Sequence, residues 1–406
     1  MAAPTDQSTK IPDLTDPQTF ADGVPHEVFD VLREREGLYW QPASFGTRNG
    51  GFWAVTRYAD IVEIEKNSAD FTITLGNQFP GSDGAFAALR DDMLVMDPPR
   101  HTKIRRAATA AFTPRVVANF DPWIREIVNE ILDETLPLGE FDYIEAVARH
   151  LPARVIARVM GIPREQRERI VKHVDAVFAA TMAPDAGVSM FGVMEGFFGY
   201  AQELQDTKLR DPQDDMVTAL AQLVEKGDLD QNQYEQYVQL LVMAGYETTH
   251  TLIGQSMRMV VEDPEVAAAT DKAIADGNST RLVDEFLRYT CPVMNMVRCA
   301  TRDMEMFGET IRKDDVMQLF FTAGNRDPAV FSEPHRFNPS RPETATLSFG
   351  SGAHKCIASA LAKLEVSILF EELHARGVRL ELNGEPRRGE NVWINQLHSL
   401  PVRVIR

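Results

Sequence analysis

The residues best suited to chemistry stand in one short loop, Phe349-Gly350-Ser351-Gly352-Ala353-His354-Lys355-Cys356-Ile357-Ala358. A helical pattern follows, with Ile357, Leu361, Leu364 and Ile368 on one face. That places Cys356 at a helix N-terminus, where the macrodipole and free backbone N–H groups favour an anion. The thiolate is the form of cysteine that ligates metals. Gly350 and Gly352 let the loop backbone come close to a flat ligand. Zinc suits the loop poorly, because Cys356 has no Cys or His partners at zinc spacing. Heme suits it, since one protein thiolate is enough to hold its iron. The other two cysteines, Cys291 and Cys299, read as small core residues.

A second group of residues breaks the rules of the helix that carries it. From about 233 to 261 there is no proline and apolar residues dominate. A helix of that length spans on the order of 40 Å and should run buried through the molecule. Its middle reads Ala244-Gly245-Tyr246-Glu247-Thr248-Thr249. A glycine there costs about 1 kcal/mol relative to alanine. Threonine can bond back to the carbonyl four residues earlier. A buried carboxylate is expensive unless paired or solvated. Three unfavourable choices at one place point to a site, with a packing kink beside a solvated Glu as the competing reading.

The elements that must position these groups are mostly helical. Residues 38–44 and 52–55 predict a hairpin around Asn49-Gly50-Gly51. Residues 98–289 read as mainly helical, punctuated by Pro122, Pro152, Pro163, Pro212 and Pro264. Short strands are predicted at 297–301, 316–321, 378–382, 392–394 and 402–405. Asp97-Pro98-Pro99 suggests a helix start, Asp as cap and Pro at the first positions. His101 and Arg105 then share a face. The fold class is therefore mainly α with small β-sheets. No linker or repeat divides residues 1–406, which read as a single domain.

Composition narrows the partners. The 406 residues carry 42 Lys+Arg against 60 Asp+Glu, a formal net charge of -18. Such acidity argues against nucleic-acid binding. Three cysteines form no disulfide framework and fit a reducing cytosol, so a cytoplasmic location is expected. The polar N-terminus lacks a signal-peptide pattern, and no apolar run reaches ~18 residues, so no membrane anchor is expected.

The cysteine loop resembles the heme-binding loop of the cytochrome P450 family, F-G-x-G-x-H-x-C-x-G/A, with Ala358 where glycine is frequent. Ala244–Thr249 is similar to that family's A-G-x-[D/E]-T-T segment, and Glu285-Phe286-Leu287-Arg288 to its E-x-x-R motif. Asn325-Arg326-Asp327-Pro328 and Arg341 follow in the family's order. The resemblance implies a triangular-prism fold with a long central helix over heme b. It implies Cys356 as the iron ligand, and His101, Arg105, Arg298 and His354 as donors to the heme propionates. Glu285, Arg288 and Arg341 would form a buried network on the proximal side.

The activity so implied is insertion of one oxygen atom of O2 into a C–H bond, with Thr248 and Glu247 handling oxygen and protons. Leu240, Met243, Ala244, Val293 or Met294, and Ile394 would face a hydrophobic substrate of terpenoid, steroid or fatty-acyl type. Residues 71–95 and 178–200 would form the lid. Electrons from NAD(P)H would arrive through a ferredoxin and its reductase, docking on Lys103, Arg106, Arg115 and Lys355. Bacterial members acting on terpenes and sterols look most alike. Two alternatives are a peroxide-driven peroxygenase and a non-catalytic heme sensor. The retained Glu247–Thr248 pair argues against both.

Overall fold

Proline decides where several helices begin. In the computed structural model, which describes residues 11–44, 46–77, 91–182 and 189–405, Pro122 and Pro264 occupy the first turns of helices Asp121–Thr135 and Pro264–Ala275. Pro163 caps the short turn Arg164–Gln166. Proline lacks an N–H that these first-turn positions would leave unbonded anyway. Asp263 completes the second start by accepting from the N–H groups of Glu265 and Val266. Parts of the expected lid, residues 78–90 and 183–188, lie outside the described residues.

The central helix spans Gln231–Glu262 and opens with a reciprocal capping box between Asp230 and Gln233. It buries residues along most of its circumference. Gly245 permits a close approach: a Cβ there would lie 2.9 Å from Ile156 Cδ1 of helix His150–Met160. The same large apolar cluster takes in helices Ser279–Thr290 and Ser359–Ala375. These two helices flank the cysteine loop in sequence and pack with the central helix in space.

A five-stranded sheet forms the smaller side, in the order Tyr39–Pro42, Gly51–Val55, Val316–Leu319, Met296–Ala300, Phe71–Thr72. The hairpin pairs Tyr39 with Ala54 and Pro42 with Gly51. A second sheet joins Glu140–Asp142, Pro401–Ile405 and Arg379–Leu382. Two further strand pairs are Met304–Met306 with Glu309–Ile311 and Arg387–Arg388 with Leu397–Ser399.

Four expectations need correction. Residues 392–394 are a turn rather than a strand, because Asn391 Oδ1 accepts from the N–H groups of Trp393 (2.7 Å) and Ile394 (3.0 Å). The strand lies further on, at Leu397–Ser399. The strand from 316 ends at Leu319, and Phe321–Gly324 turns into a short helix. Asp97 does not cap the helix that follows it. Its carboxylate reaches back to Thr72 Oγ1 (2.5 Å) and Ile73 N (3.3 Å), and the helix starts at Arg100, beyond both prolines.

Candidate active site

The cysteine loop is tied to the proximal helices before it reaches Cys356. Asn325 Oδ1 accepts from Leu347 N at 2.7 Å, and its Nδ2 donates to Ser348 Oγ at 2.9 Å. Ser348 Oγ in turn donates to the Leu287 carbonyl at 2.6 Å. Leu287 lies between Glu285 and Arg288, both with side chains 2% exposed. Arg288 donates to both Glu285 oxygens at 2.8 Å, Arg341 Nε adds a 2.9 Å bond, and Asn338 N adds one at 2.7 Å. A buried carboxylate with four donors is the arrangement that makes such burial tolerable. The three charges expected to act together thus share one network.

Cys356 N donates to the Phe349 carbonyl at 2.8 Å, closing the loop on itself. The helix after it starts at Ser359 with Ala358 as cap, so Cys356 stands just ahead of the helix rather than in its first turn. Burial pushes the Cys356 thiol up, while the Ala358 N–H, Arg105 and Lys355 oppose that rise. The helix end alone therefore does not make a thiolate here. A coordinated metal would, because ligation deprotonates a thiol outright.

Around it gather most of the expected cofactor residues. The His101 and His354 rings lie 4.0 Å apart at 31°. His101 is 1% exposed, and neither ring nitrogen has a hydrogen-bond partner among the described residues. Burial, aided by Arg105, pushes His101 down to about 4. Burial, then His101 and Arg298, takes His354 to about 3. Both are therefore neutral at pH 7. His354 Nε2 lies 3.0 Å from the Met96 carbonyl, and Arg105 donates to the Lys355 carbonyl. Arg298 is buried on strand Met296–Ala300 and pairs with Glu65 at 3.3 Å. This set suits an iron porphyrin. It offers one thiol for the metal, two guanidiniums and two imidazoles for two carboxylates, and positive-φ glycines at 350 and 352 for close approach.

On the central helix, Ala244 is exposed and Met243 and Thr248 half-exposed within an otherwise buried run. The helix therefore opens along the face shared by residues 244 and 248. Leu240, one turn earlier on that face, is 9% exposed. Thr248 Oγ1 donates to the Ala244 carbonyl at 2.9 Å. Glu247 is 4% exposed, accepts from Gln396 Nε2 at 2.8 Å, and lies 3.5 Å from His250 Nδ1. Val293 and Ile394 form an isolated antiparallel bridge and stay together. Met294 does not join them. It is 1% exposed in a separate cluster with Phe20, Phe52 and Phe320, because neighbours in an extended segment point to opposite sides.

Lys103, Arg106, Arg115 and Lys355 are all exposed. Lys103 and Arg106 lie on helix Arg100–Thr109, which also carries His101 and Arg105. Sequence reasoning missed Glu65, Asn325 as a tie, Ser351 and Gln396. Of these only Glu65 left a signal, as a carboxylate beside Ile61 and Ile64 on the buried face of helix Tyr58–Lys66.

A family model described as cytochrome P450 matches residues 279–374, the stretch holding the Glu285 network and the cysteine loop. The chain is 30% identical over 396 residues to a steroid C26-monooxygenase of Mycobacterium tuberculosis, covering 94% of this chain and 90% of that one. It is 30% identical over 411 residues to linalool 8-monooxygenase of Pseudomonas putida, covering 97% and 99%. Among solved structures, Mycobacterium marinum cytochrome P450 CYP268A2 in complex with pseudoionone superposes with a TM-score of 0.87 at 29% identity. That match covers 99% of this chain and 100% of the other.

Proposed function

Because the chain belongs to the cytochrome P450 family and is a heme-dependent monooxygenase, we propose that residues 1–406 form a single heme-thiolate domain hydroxylating a hydrophobic terpenoid, steroid or fatty-acyl substrate. The observation that carries the cofactor assignment is His101, buried with both nitrogens unpartnered among the described residues and its ring 4.0 Å from that of His354 beside the cysteine loop. A buried donor without a partner is costly, and an entering carboxylate would satisfy it. Cys356 would hold the iron, and His101, Arg105, Arg298 and His354 would hold the propionates. Heme, when bound, supplies the activation of O2 that no side chain can provide.

The chain's own contribution is to orient substrate and manage protons. Leu240, Met243, Ala244, Val293 and Ile394 form the substrate wall in this reading. Thr248 spends its proton on the Ala244 carbonyl and keeps its lone pairs for an ordered water. Glu247 brings a proton to that water, with Gln396 fixing one carboxylate oxygen. The substrate class follows the apolar lining and the relatives that act on steroids and linalool. Electrons from NAD(P)H would come through a ferredoxin and its reductase, docking on Lys103, Arg106, Arg115 and Lys355. Among the described residues no helix is long and apolar enough to cross a membrane, and we place the reaction in the cytoplasm.

The test is the carbon monoxide difference spectrum of the reduced protein. A strongly red-shifted Soret band is expected. A normal heme–carbonyl band, or the absence of heme, would overturn the assignment of Cys356.

A further inference from the structure

Helix Tyr58–Lys66 turns Ile61, Ile64 and Glu65 inward. A carboxylate on that face needs a reason, because burying it without partners costs several kcal/mol. Glu65 is 5% exposed, and its two oxygens are divided between two places. Oε2 accepts from Ser351 N at 2.7 Å and from Ser351 Oγ at 2.9 Å. Oε1 accepts from Arg298 Nη2 at 3.3 Å. Ser351 belongs to the cysteine loop, five residues before Cys356, and Arg298 lies on strand Met296–Ala300 of the five-stranded sheet.

The loop is shaped around this residue. Gly350 and Gly352 have φ of +63° and +65°. A Cβ on Gly352 would fall 2.3 Å from the Glu65 carbonyl oxygen, and one on Gly350 would fall 3.3 Å from Glu65 Oε1. Gly352 is therefore required by the Glu65 backbone while Gly350 lies against its side chain, and the loop closes against backbone and side chain of Glu65 together.

We infer that Glu65 is a positioning residue for the heme: one buried carboxylate joins the thiolate loop, through Ser351, to the propionate arginine, Arg298. The inference rests on the reading that Cys356 and Arg298 hold the cofactor. It adds that both ends of the cradle are set by a single side chain that touches neither the iron nor the substrate. It also adds a charge. Glu65 offsets Arg298, so a propionate there meets a cation already partly balanced. A fixed anion on this side of the heme disfavours the extra electron of the ferrous state.

The experiment uses the heme-loaded full chain as wild type, Glu65→Gln, Glu65→Asp and Ser351→Ala. The wild-type carbonyl spectrum first settles whether Cys356 ligates, which separates failure of that reading from failure of this one. Two quantities are then read: the ferric–ferrous midpoint potential, and the rate of heme loss to an excess of a heme-scavenging globin. Removing outer-shell partners of a metal site costs about 10–100-fold in affinity. Glu65→Gln is expected to speed heme loss by about that factor and to raise the midpoint potential. Glu65→Asp should recover the potential but only part of the retention. Ser351→Ala, which keeps the backbone bond, should speed heme loss by only a few-fold and leave the potential near wild type. It serves as the reading if Glu65→Gln fails to fold. Heme loss at the wild-type rate in Glu65→Gln, or in Ser351→Ala where only that variant is available, would overturn the positioning role. An unchanged potential in Glu65→Gln would overturn the role of its charge.

Discussion

Replacing Arg288 with alanine should cost more stability than almost any other single change in this chain. The guanidinium makes five bonds: two to Glu285 at 2.8 Å, and one each to the carbonyls of Asn325 (2.9 Å), Pro334 (2.7 Å) and Arg336 (3.1 Å). Three of these acceptors keep another donor. Glu285 retains Arg341 and Asn338, Pro334 retains Arg326, and Arg336 retains Arg341. The Asn325 carbonyl loses its guanidinium donor. Breaking a buried pair costs about 3–5 kcal/mol, and a stranded buried carbonyl about 1–3 kcal/mol. The retained partners of Glu285 hold the first figure toward its lower end, so a total of about 4–6 kcal/mol is expected. That is a large share of the ~5–15 kcal/mol that stabilises a typical protein. Arg288→Lys keeps the charge but loses the bidentate fork, and should cost about 2 kcal/mol. Urea unfolding followed by far-ultraviolet circular dichroism reads the difference as a shift in midpoint at constant slope. A loss below about 1 kcal/mol for the alanine variant would refute the reasoning. Asn325 also holds Leu347 and Ser348, so the same variant should bind heme less tightly.

Further outcomes follow from the same structure. Gly352→Ala places a Cβ 2.3 Å from the Glu65 carbonyl at φ +65°, and should abolish the red-shifted carbonyl band. Gly350→Ala meets only a side-chain oxygen at 3.3 Å, and should weaken the band less. Thr248→Ala should keep heme and fold while diverting reducing equivalents to hydrogen peroxide; product formed per NAD(P)H equal to wild type would remove its assigned role. His173 is held by burial at about 4 against an ordinary 6.5. The unfolded chain takes up a proton below 6.5 that the folded chain refuses until about 4, so stability falls as pH drops through that window. His173→Phe, which keeps a ring against Phe197, should therefore lose about 1–2 kcal/mol less than wild type between pH 7 and 5 in urea unfolding. Finally, reversing Lys355 and Arg106 to Glu should slow reduction by an acidic ferredoxin, most of all at low salt; unchanged rates would sink the docking assignment.

The parts of the fold legible in the sequence are those written in local pattern. The central helix could be read because some thirty residues lack proline and stay apolar, and the structure extends it by two residues at its start and one at its end. The cysteine loop could be read because glycine, histidine and cysteine stand at fixed offsets. Short strands were harder. Phe71–Thr72 and Glu140–Asp142 are two and three residues long, too short for alternation to appear, and exist only because distant partners pair with them. Residues 392–394 have strand-like composition, but one Asn side chain turns them. Asp97 has the composition of a cap, yet a strand 25 positions earlier competes for its carboxylate. At the site, the chemically loaded residues and the Glu285–Arg288–Arg341 network could be named from the sequence, while the long-range supports could not. Gln396 lies 149 positions from Glu247 and Glu65 lies 233 from Arg298, separations that no local spacing reveals.

The turn at 391–396 places two jobs on one short stretch of chain. Ile394, proposed for the substrate wall, stands two residues from Gln396, whose amide holds Glu247. Between them Asn395 is pinned by Gln255, and its own amide donates to the Thr290 carbonyl. The stretch is therefore held at its middle, with Ile394 and Gln396 on either side of one anchored residue. A substitution at Ile394 that displaces its backbone would strain the Gln396 amide as well. On the roles proposed for Ile394 and Glu247, selectivity and the economy of electron use would then change together, and variants selected for a bulkier substrate should be screened for wasted reductant from the first round.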